Sequence, residues 1–544
     1  MIRHSIPSGS NPQQRNESRY RRPRSSVRWL SALGIIGAVV IAGCFDEDPA
    51  TPSLNRPTFD LLTTLPDDSI SDVPEFIEIA RAVPAFGGMY FSDNGRLTIA
   101  LTDVSRFAAA QEAIRPRLGI HETRAGRRDS RSVAFDARLV QYSFLELARY
   151  KTVLRRILAI RGVATIDANE VLNRVEIGLA DPTAEASVRA LADSLGIPAL
   201  ALAFREAGFA QPDVQITGST SSAYGSVVVE AGWRVSIPSG GQCTLGPTGI
   251  RGTDGDSVFI TVSHCTPTKW GYDGSSARQP DVTSTAIGTE ILDPAAASCN
   301  FGLSECRDSD AAMFTATYPI RFGKIVRTAD SVDCESCHSS LDVDSALTIT
   351  STLSYVVSNE TIHKIGQTSG WTYGAVEATC VDFAWPVYPF DDETKCSDRI
   401  DLNSEPGDSG GPAFSVVSGT NVQLRGIDIG HDPVTSDAYI SNLGQIAIDL
   451  GHVTYYDRGA PSASIEGPTE APGMGIQCTW QSNVTNGIPP YTYSWSGLLS
   501  GSSGAVAGPI YSSGTLYLAV TDFFGRTGYA SIGVTVVPGP PLCE

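Results

Sequence analysis

The chain has 544 residues, too many for one ordinary core, so two to four domains are expected. Its net charge is −19; the first 44 residues hold seven Arg and one Glu, or +6, which leaves −25 on the remainder. So acidic a body argues against nucleic acid as the main partner, and 52 Gly with 33 Pro mark a turn-rich, mainly β chain.

In chain order, Arg21, Arg22, Arg24 and Arg28 precede an apolar run over residues 32–43. This is the charged n-region and apolar h-region of a secretory signal, and the run is short for a membrane span. The long n-region leaves open a true start downstream of Met1. The run closes on Ile41-Ala42-Gly43-Cys44, which resembles a bacterial lipoprotein cleavage box. The resemblance implies cleavage before Cys44, a lipid on its sulfur, and an exported protein on the outer face of a membrane or released from it. An ordinary signal peptide beside a cysteine is the alternative. Ten further cysteines follow: Cys243, Cys265, Cys299, Cys306, Cys334, Cys337, Cys380, Cys396, Cys478 and Cys543. An even number in an exported chain favours disulfides, and all ten are candidates. Residues 45–242 contain none of them, so that region folds on other terms or is not meant to last. Residues 45–72 are rich in Pro, Asp, Ser and Thr and read as a linker.

Residues 73–212 carry a weak internal repeat. Arg96-Leu-Thr-Ile-Ala-Leu-Thr-Asp103 matches Arg174-Val-Glu-Ile-Gly-Leu-Ala-Asp181, and both alternate as half-buried strands do. An Ala-rich amphipathic stretch follows each, over 107–114 and 184–195, and a third helical pattern covers 143–160. The expectation is a small α+β domain of two strand–helix units with no cluster of residues suited to chemistry. Its position, its lack of cysteines and its two-lobed pattern resemble the pro-regions of secreted bacterial proteases related to α-lytic protease and the streptogrisins. The resemblance implies a region that assists folding and is then removed, so that it acts as a folding partner or inhibitor; a permanent accessory domain is the alternative. A Ser/Thr/Gly-rich boundary at 213–224 is where a processing cut would fall.

Beyond the boundary, short strand signals recur between turns at 226–230, 233–237, 257–262, 312–317, 347–357 and 423–429, the pattern of a β-barrel or sandwich spanning 225–458. Within it, Glu405-Pro-Gly407-Asp408-Ser409-Gly-Gly-Pro412 suits neither a helix nor a regular strand. It suits a tight loop that exposes its backbone, presents the Ser409 hydroxyl, and turns the amides of Gly407 and Ser409 toward a developing oxyanion. A base and an orienting acid should accompany such a serine. Val258-Phe-Ile-Thr-Val-Ser-His264-Cys265 puts a histidine at the end of an apolar strand, where a Cys243–Cys265 bridge would staple its loop to the preceding strand. Asp308-Ser-Asp310 lies just before another apolar run and offers two candidate acids.

The segments Gln242-Cys-Thr-Leu-Gly246, Thr261-Val-Ser-His264-Cys265-Thr266 and Gly407-Asp-Ser-Gly-Gly-Pro412 together resemble trypsin-like serine proteases, especially the bacterial α-lytic protease and streptogrisin branch. The Ser263-His264 pair departs from that family's commoner small residue before the histidine. The resemblance implies a double six-stranded β-barrel, selects Asp310 over Asp308 as the acid, and gives the order His264, Asp310, Ser409. Lys364-Ile-Gly-Gln-Thr-Ser-Gly-Trp-Thr-Tyr-Gly374 resembles the Gly-x-Thr-Thr-Gly wall of the same branch, in which a basic side chain just upstream neutralises the acid beside the nucleophile. By that likeness Lys364 pairs with Asp408. Asp428, Arg425 and His431, on the returning strand, leave the specificity pocket undetermined.

Cys334-Glu-Ser-Cys337-His338 matches the haem-attachment pattern, but it stands in a polar loop with no axial-ligand segment, so a small disulfide loop is the preferred reading. Zinc lacks a second ligand pair. No metal or cofactor is therefore implied. Residues 459–544, with Trp480, Trp495 and the run Gly514-Thr-Leu-Tyr-Leu-Ala-Val-Thr-Asp522, read as a small β-sandwich that resembles Ig-like or PKD-like repeats of bacterial surface proteins, with Cys478 and Cys543 as a candidate bridge. The partners of Cys299, Cys306, Cys380 and Cys396 stay open at this level. The expected activity is hydrolysis of protein or peptide substrates by a serine endopeptidase. The competing expectation is a catalytically silent surface binding protein on a protease scaffold.

Overall fold

The computed structural model describes residues 69–129, 131–212, 229–299, 304–333, 337–385, 392–473, 476–538 and 543. The expected signal sequence with Cys44, most of the 45–72 linker, the 213–224 boundary and Cys334 lie outside the described residues. The protein is mainly β, with short helices concentrated before residue 200.

The leading region, residues 69–212, makes its repeat concrete. Strand Leu97–Leu101 pairs antiparallel with Phe86–Phe91 and parallel with Phe135–Leu139. Strand Arg174–Leu179 pairs antiparallel with Val163–Asn169 and parallel with Leu202–Glu206. After each repeated strand an aspartate caps a short turn: Asp103 accepts from the Ser105 amide and Asp181 from the Thr183 amide. A helix follows in both cases, α2 over Phe107–Ile114 and α4 over Glu185–Ser194, after α1 over Pro74–Ala82. The helix expected across 143–160 is shorter. Helix α3 spans Phe144–Leu154, begins at a capping box between Ser143 and Glu146, and tightens into a 3-10 turn over Arg155–Ala159. Its face enters an aromatic core in which Phe76 meets Phe86 and Phe144 edge-on, with ring centres 6.0 and 5.4 Å apart.

Two large sheets carry residues 229–454. One has the strand order Val453–Thr454, Thr248–Arg251, Ser257–Val262, Ala311–Ala316, Thr285–Leu292, Ser276–Gln279, Arg234–Ser236, Gln242–Thr244. The other contains Asp392–Ile400, Ala438–Asn442, Asn421–His431, Pro412–Ser418, Thr361–Gly366 and the 16-residue strand Gly370–Trp385. Their apolar faces share one core, with Phe259 stacked on Phe314. Helix α5, Leu443–Leu450, closes the region.

The second sheet is not confined to residues 229–454. Gly370–Trp385 pairs with Val163–Asn169, Phe383 opposite Thr165 and Asp382 opposite Ile166, so the sheet runs on into the leading region. This accounts for the burial of the strand on the leading side. Val163–Asn169 is buried at every residue rather than at alternate ones, because both its edges and both its faces are covered. The strand expected over 347–357 also differs: pairing ends at Thr352. Leu353, Tyr355 and Val357 leave the sheet to pack with Phe76 and Phe86 in the leading region's core, where their burial replaces ladder pairing.

Residues 462–537 form a three-stranded sheet (Ser462–Glu466, Gln477–Thr485, Ala505–Pro509) and a four-stranded one (Glu470–Pro472, Thr527–Val537, Gly514–Thr521, Thr492–Gly497). Trp480, Trp495, Leu516, Leu518 and Val534 fill one core between them, pinned by the Cys478–Cys543 disulfide.

Candidate active site

The ends of two neighbouring strands deliver the first two residues. Ser257–Val262 and Ala311–Ala316 are antiparallel, with Val262 opposite Ala311. The chain leaving the first therefore carries His264 past Asp310, which immediately precedes the second. The Ser263 amide donates to the Asp310 carbonyl at 2.7 Å and locks the two loops in step. The Cys243–Cys265 disulfide ties the histidine turn to strand Gln242–Thr244. His264 Nδ1 hydrogen-bonds Asp310 Oδ2, and His264 Nε2 lies 3.1 Å from Ser409 Oγ. Asp308 stands apart and partly exposed, 4.0 Å from Lys395.

Asp310 is fully buried. Burial alone would raise its pKa; His264, with Lys269 and Arg307 behind it, outweighs that and holds the carboxyl below its ordinary value. The other carboxylate oxygen accepts from Trp270 Nε1 at 2.9 Å, and the Asp310 amide donates to Ser441 Oγ at 3.2 Å. Sequence reasoning missed Trp270 and Ser441. Trp270 itself takes a positive φ of 55°.

Ser409 sits where the chain turns sharply. Gly407 and Gly410 have φ of 106° and 90°. A Cβ on Gly410 would come within 2.3 Å of the Thr244 carbonyl oxygen and 2.4 Å of Thr261 Oγ1, so only glycine fits. The amides of Asp408, Gly410 and Gly411 are committed to the carbonyls of Glu405, Asp428 and Asp408. The Thr244 amide holds the Ser409 carbonyl at 2.8 Å, and Thr244 Oγ1 holds that of Gly407 at 2.9 Å.

Asp408 points away from the site into a fully dry pocket. Lys364 Nζ donates to its Oδ2 at 2.7 Å, and neither side chain has measurable exposure. Ser369 Oγ donates at 2.6 Å, and the amides of Thr368, Ser369 and Glu405 donate at 2.8, 3.1 and 3.1 Å. Burial pushes the carboxyl up; Lys364 and these donors pull it further down, to a net value below the ordinary range. Asp428 is buried beside them, bonded to Ser404 Oγ and 3.9 Å from Lys364. Arg425, which the sequence left as a candidate for the specificity pocket, turns the other way. It binds Glu360 and the carbonyls of Tyr355 and Ile120, at the contact with the leading region.

The end of the leading region lies along the strand that carries Asp428. The Gln211 amide donates to the His431 carbonyl at 2.9 Å, and the His431 amide returns a bond of 3.0 Å to the Gln211 carbonyl. The Gly208 amide donates to Asp432 Oδ1 at 2.8 Å. The Gln211 carbonyl oxygen passes within 2.4 Å of where a Cβ on Gly430 would stand. Ser409 itself is fully buried.

Disulfides join Cys243 to Cys265, Cys299 to Cys306, Cys380 to Cys396 and Cys478 to Cys543. Two of these pairings, Cys299–Cys306 and Cys380–Cys396, the sequence had left open. The first closes the hairpin of Ala297–Cys299 and Ser304–Arg307. The second crosses between the paired strands Gly370–Trp385 and Asp392–Ile400, and its sulfurs lie in the leading region's core. Cys337 is also disulfide-bonded. His338 binds Glu405 at 2.8 Å. Cys243, His264 and Cys265 come close enough together to suggest a metal cluster, but both sulfurs are spent in the disulfide.

No family model matches the chain, and no curated protein matches it. Among solved structures it is similar to the secreted serine protease VesC from Vibrio cholerae, at a TM-score of 0.20 and 12% identity, over 58% of this chain and 71% of that one.

Proposed function

We propose that the chain is an exported serine endopeptidase of the trypsin-like type, in which His264, Asp310 and Ser409 are the catalytic triad. The observation that carries this reading is the hydrogen-bonded line from Asp310 through His264 to Ser409, in a loop held by the buried Lys364–Asp408 pair. His264 Nε2 takes the Ser409 proton as the oxygen attacks a peptide carbonyl, then gives it to the leaving amine. Asp310, kept ionised, fixes the proton on Nδ1 and stabilises the imidazolium. The amides of Gly407 and Ser409 receive the oxyanion. Water then hydrolyses the acyl-enzyme by the same steps. An extended substrate backbone pairs with residues 429–431 as Gln211 does.

On this reading the two sheets of residues 225–458 are the two barrels of the protease. Residues 73–212 are its pro-region, with 208–212 laid across the substrate strand as an inhibitor, and residues 459–544 are an Ig-like or PKD-like spacer. The leader places the protein outside the cell, with a lipid on Cys44 until processing. The test is irreversible labelling of the processed protein by a serine-directed phosphonylating reagent, with the label lost in Ser409→Ala. A folded, processed protein that neither takes the label nor cleaves peptides would replace the reading with that of a silent binding protein.

A further inference from the structure

The junction between the leading and catalytic regions buries an unusual number of carboxyl groups, and they are not treated alike. Asp382 has Arg155 and, at 3.8 Å, Lys151. Glu360 has Arg425 and His121. Asp167, in the buried strand Val163–Asn169, has neither: among the described residues both its carboxylate oxygens are buried with no hydrogen-bond partner. Five elements surround it. Helix α3 offers Lys151, which is committed to Asp72 at 3.0 Å and to the Cys380 carbonyl. The neighbouring strand brings Glu176, directly opposite in register. The segment before α1 brings Asp72, and Asp382 stands on the strand across the junction. Arg399, from Asp392–Ile400, is shared between Glu176 at 3.2 Å and Asp437 at 3.3 Å.

Three residues on, Glu170 is wedged between the two regions. Its Cβ lies 2.3 Å from where a side chain on Gly88 would begin, and its Oε1 accepts from Ser358 Oγ of the catalytic region at 2.6 Å. Asp72 and Asp398 are the charged groups facing it. A neutral acid fits both sites; two more anions there would add to Glu176 and Asp382, with the nearby cations already engaged, beside Asp398, which burial itself pushes up to about 7.

We propose that this junction is a proton-held latch, closed while Asp167 and Glu170 carry protons and loosened when they ionise. The proposal rests on residues 73–212 being a pro-region. The direction follows from linkage. Burial drives Asp167 well above its ordinary value and Glu170 from 4.5 to about 7. Association that protects such groups is complete below their ordinary values and is lost as pH rises through the raised ones. Asp382 and Glu360 are held low by their cations and stay ionised throughout that window, so they add no opposing trend. Export into mildly acidic surroundings would keep the protease covered, and a rise in pH would release it.

The test uses the full chain with Ser409→Ala and a recognition site for an unrelated specific protease inserted between residues 213 and 228. After nicking, the two parts are followed by gel filtration from pH 5.5 to 8.5. The expected result is association at least tenfold tighter at pH 5.5 than at pH 8, with Asp167→Asn and Glu170→Gln together giving the tight form at both. Equal association across that range, or an undiminished pH effect in the double variant, overturns the latch. If the double variant does not fold, hydrogen exchange of the amides in 163–169 and 376–385 of the unnicked chain decides, after normalisation for intrinsic rates. Faster opening at pH 8 supports the latch and equal opening overturns it. The cut is supplied from outside and the nucleophile is absent, so the latch can fail while the protease reading stands; phosphonate labelling tests that reading separately.

Discussion

Two buried acids, a few strands apart, show opposite solutions to one problem. Asp408 lies in a dry pocket and has Lys364, a hydroxyl and three amides turned toward it. Asp167 lies in an equally dry place with its carboxylate oxygens unmet. Both are fully buried, so the difference lies in the acids Glu170, Glu176 and Asp72 around Asp167 and in the donors. Where they are supplied, the charge survives and the loop around it is fixed in one geometry, as a nucleophile requires. Where they are withheld, the group holds a proton instead, and the contact it sits in inherits a dependence on pH.

Removing the proposed catalytic groups sharpens the first half of the comparison most. Asp310→Asn should lower kcat about 10⁴-fold by leaving His264 in the wrong tautomer. Asp308→Asn should leave kcat within about twofold in the same peptide assay. Equal losses would mean that the acid is misassigned. Next in size is Lys364→Met, which strands Asp408 as an unpaired buried charge and should cost about 3 kcal/mol or more in denaturant unfolding. Adding Asp408→Asn should recover part of that loss, and a purely additive double variant would show that the pair is not coupled.

The pH profile separates the two acids more finely. Asp408 and Asp310 are held below their ordinary value, so their contribution is present above about pH 4 and lost as pH falls through the lowered values. Glu170 runs the other way, its contribution fading as pH rises from 4.5 toward about 7. Melting temperature should therefore fall on both flanks, and Glu170→Gln should lessen the alkaline fall while leaving the acid one unchanged. Smallest is the capping box: Ser143→Ala should cost about 1 kcal/mol of stability and leave the catalytic rate unchanged.

The candidate site was legible in the sequence because its chemistry is compressed into short runs. Glycines that tolerate no Cβ flank Ser409, and His264 and Asp310 stand at the end and the start of apolar strands. What surrounds the site was not legible. Trp270 and Ser441 reach Asp310 from 40 and 131 residues away, and nothing local marks a tryptophan or a serine as such a partner. The cysteines announced that they would pair, but which of them face each other depends on strand register, so Cys380 and Cys396 could be matched only once their strands were aligned. The leading region's repeat could be read from its alternating strands, but alternation also suggested one wet face. In the structure Leu97–Leu101 is buried throughout, and the Gly370–Trp385 strand covers the edge beside Asp167, neither of which alternation could show. Tyr355 and Val357 read as a strand for a related reason: an apolar run looks the same whether it will pair or pack.

The shared sheet also bears on what would be left if residues 69–212 were removed, as proposed. Gly370–Trp385 would keep its pairing with Thr361–Gly366 and Asp392–Ile400 but lose its partner at Asp382 and Phe383, where a short border opens. Such borders invite a second copy to zip on. This one carries Asp382 at the former seam, relieved of Lys151 and Arg155 and left with a bare negative charge. The residue that anchors the covered form would then act in the uncovered one as a guard against aggregation.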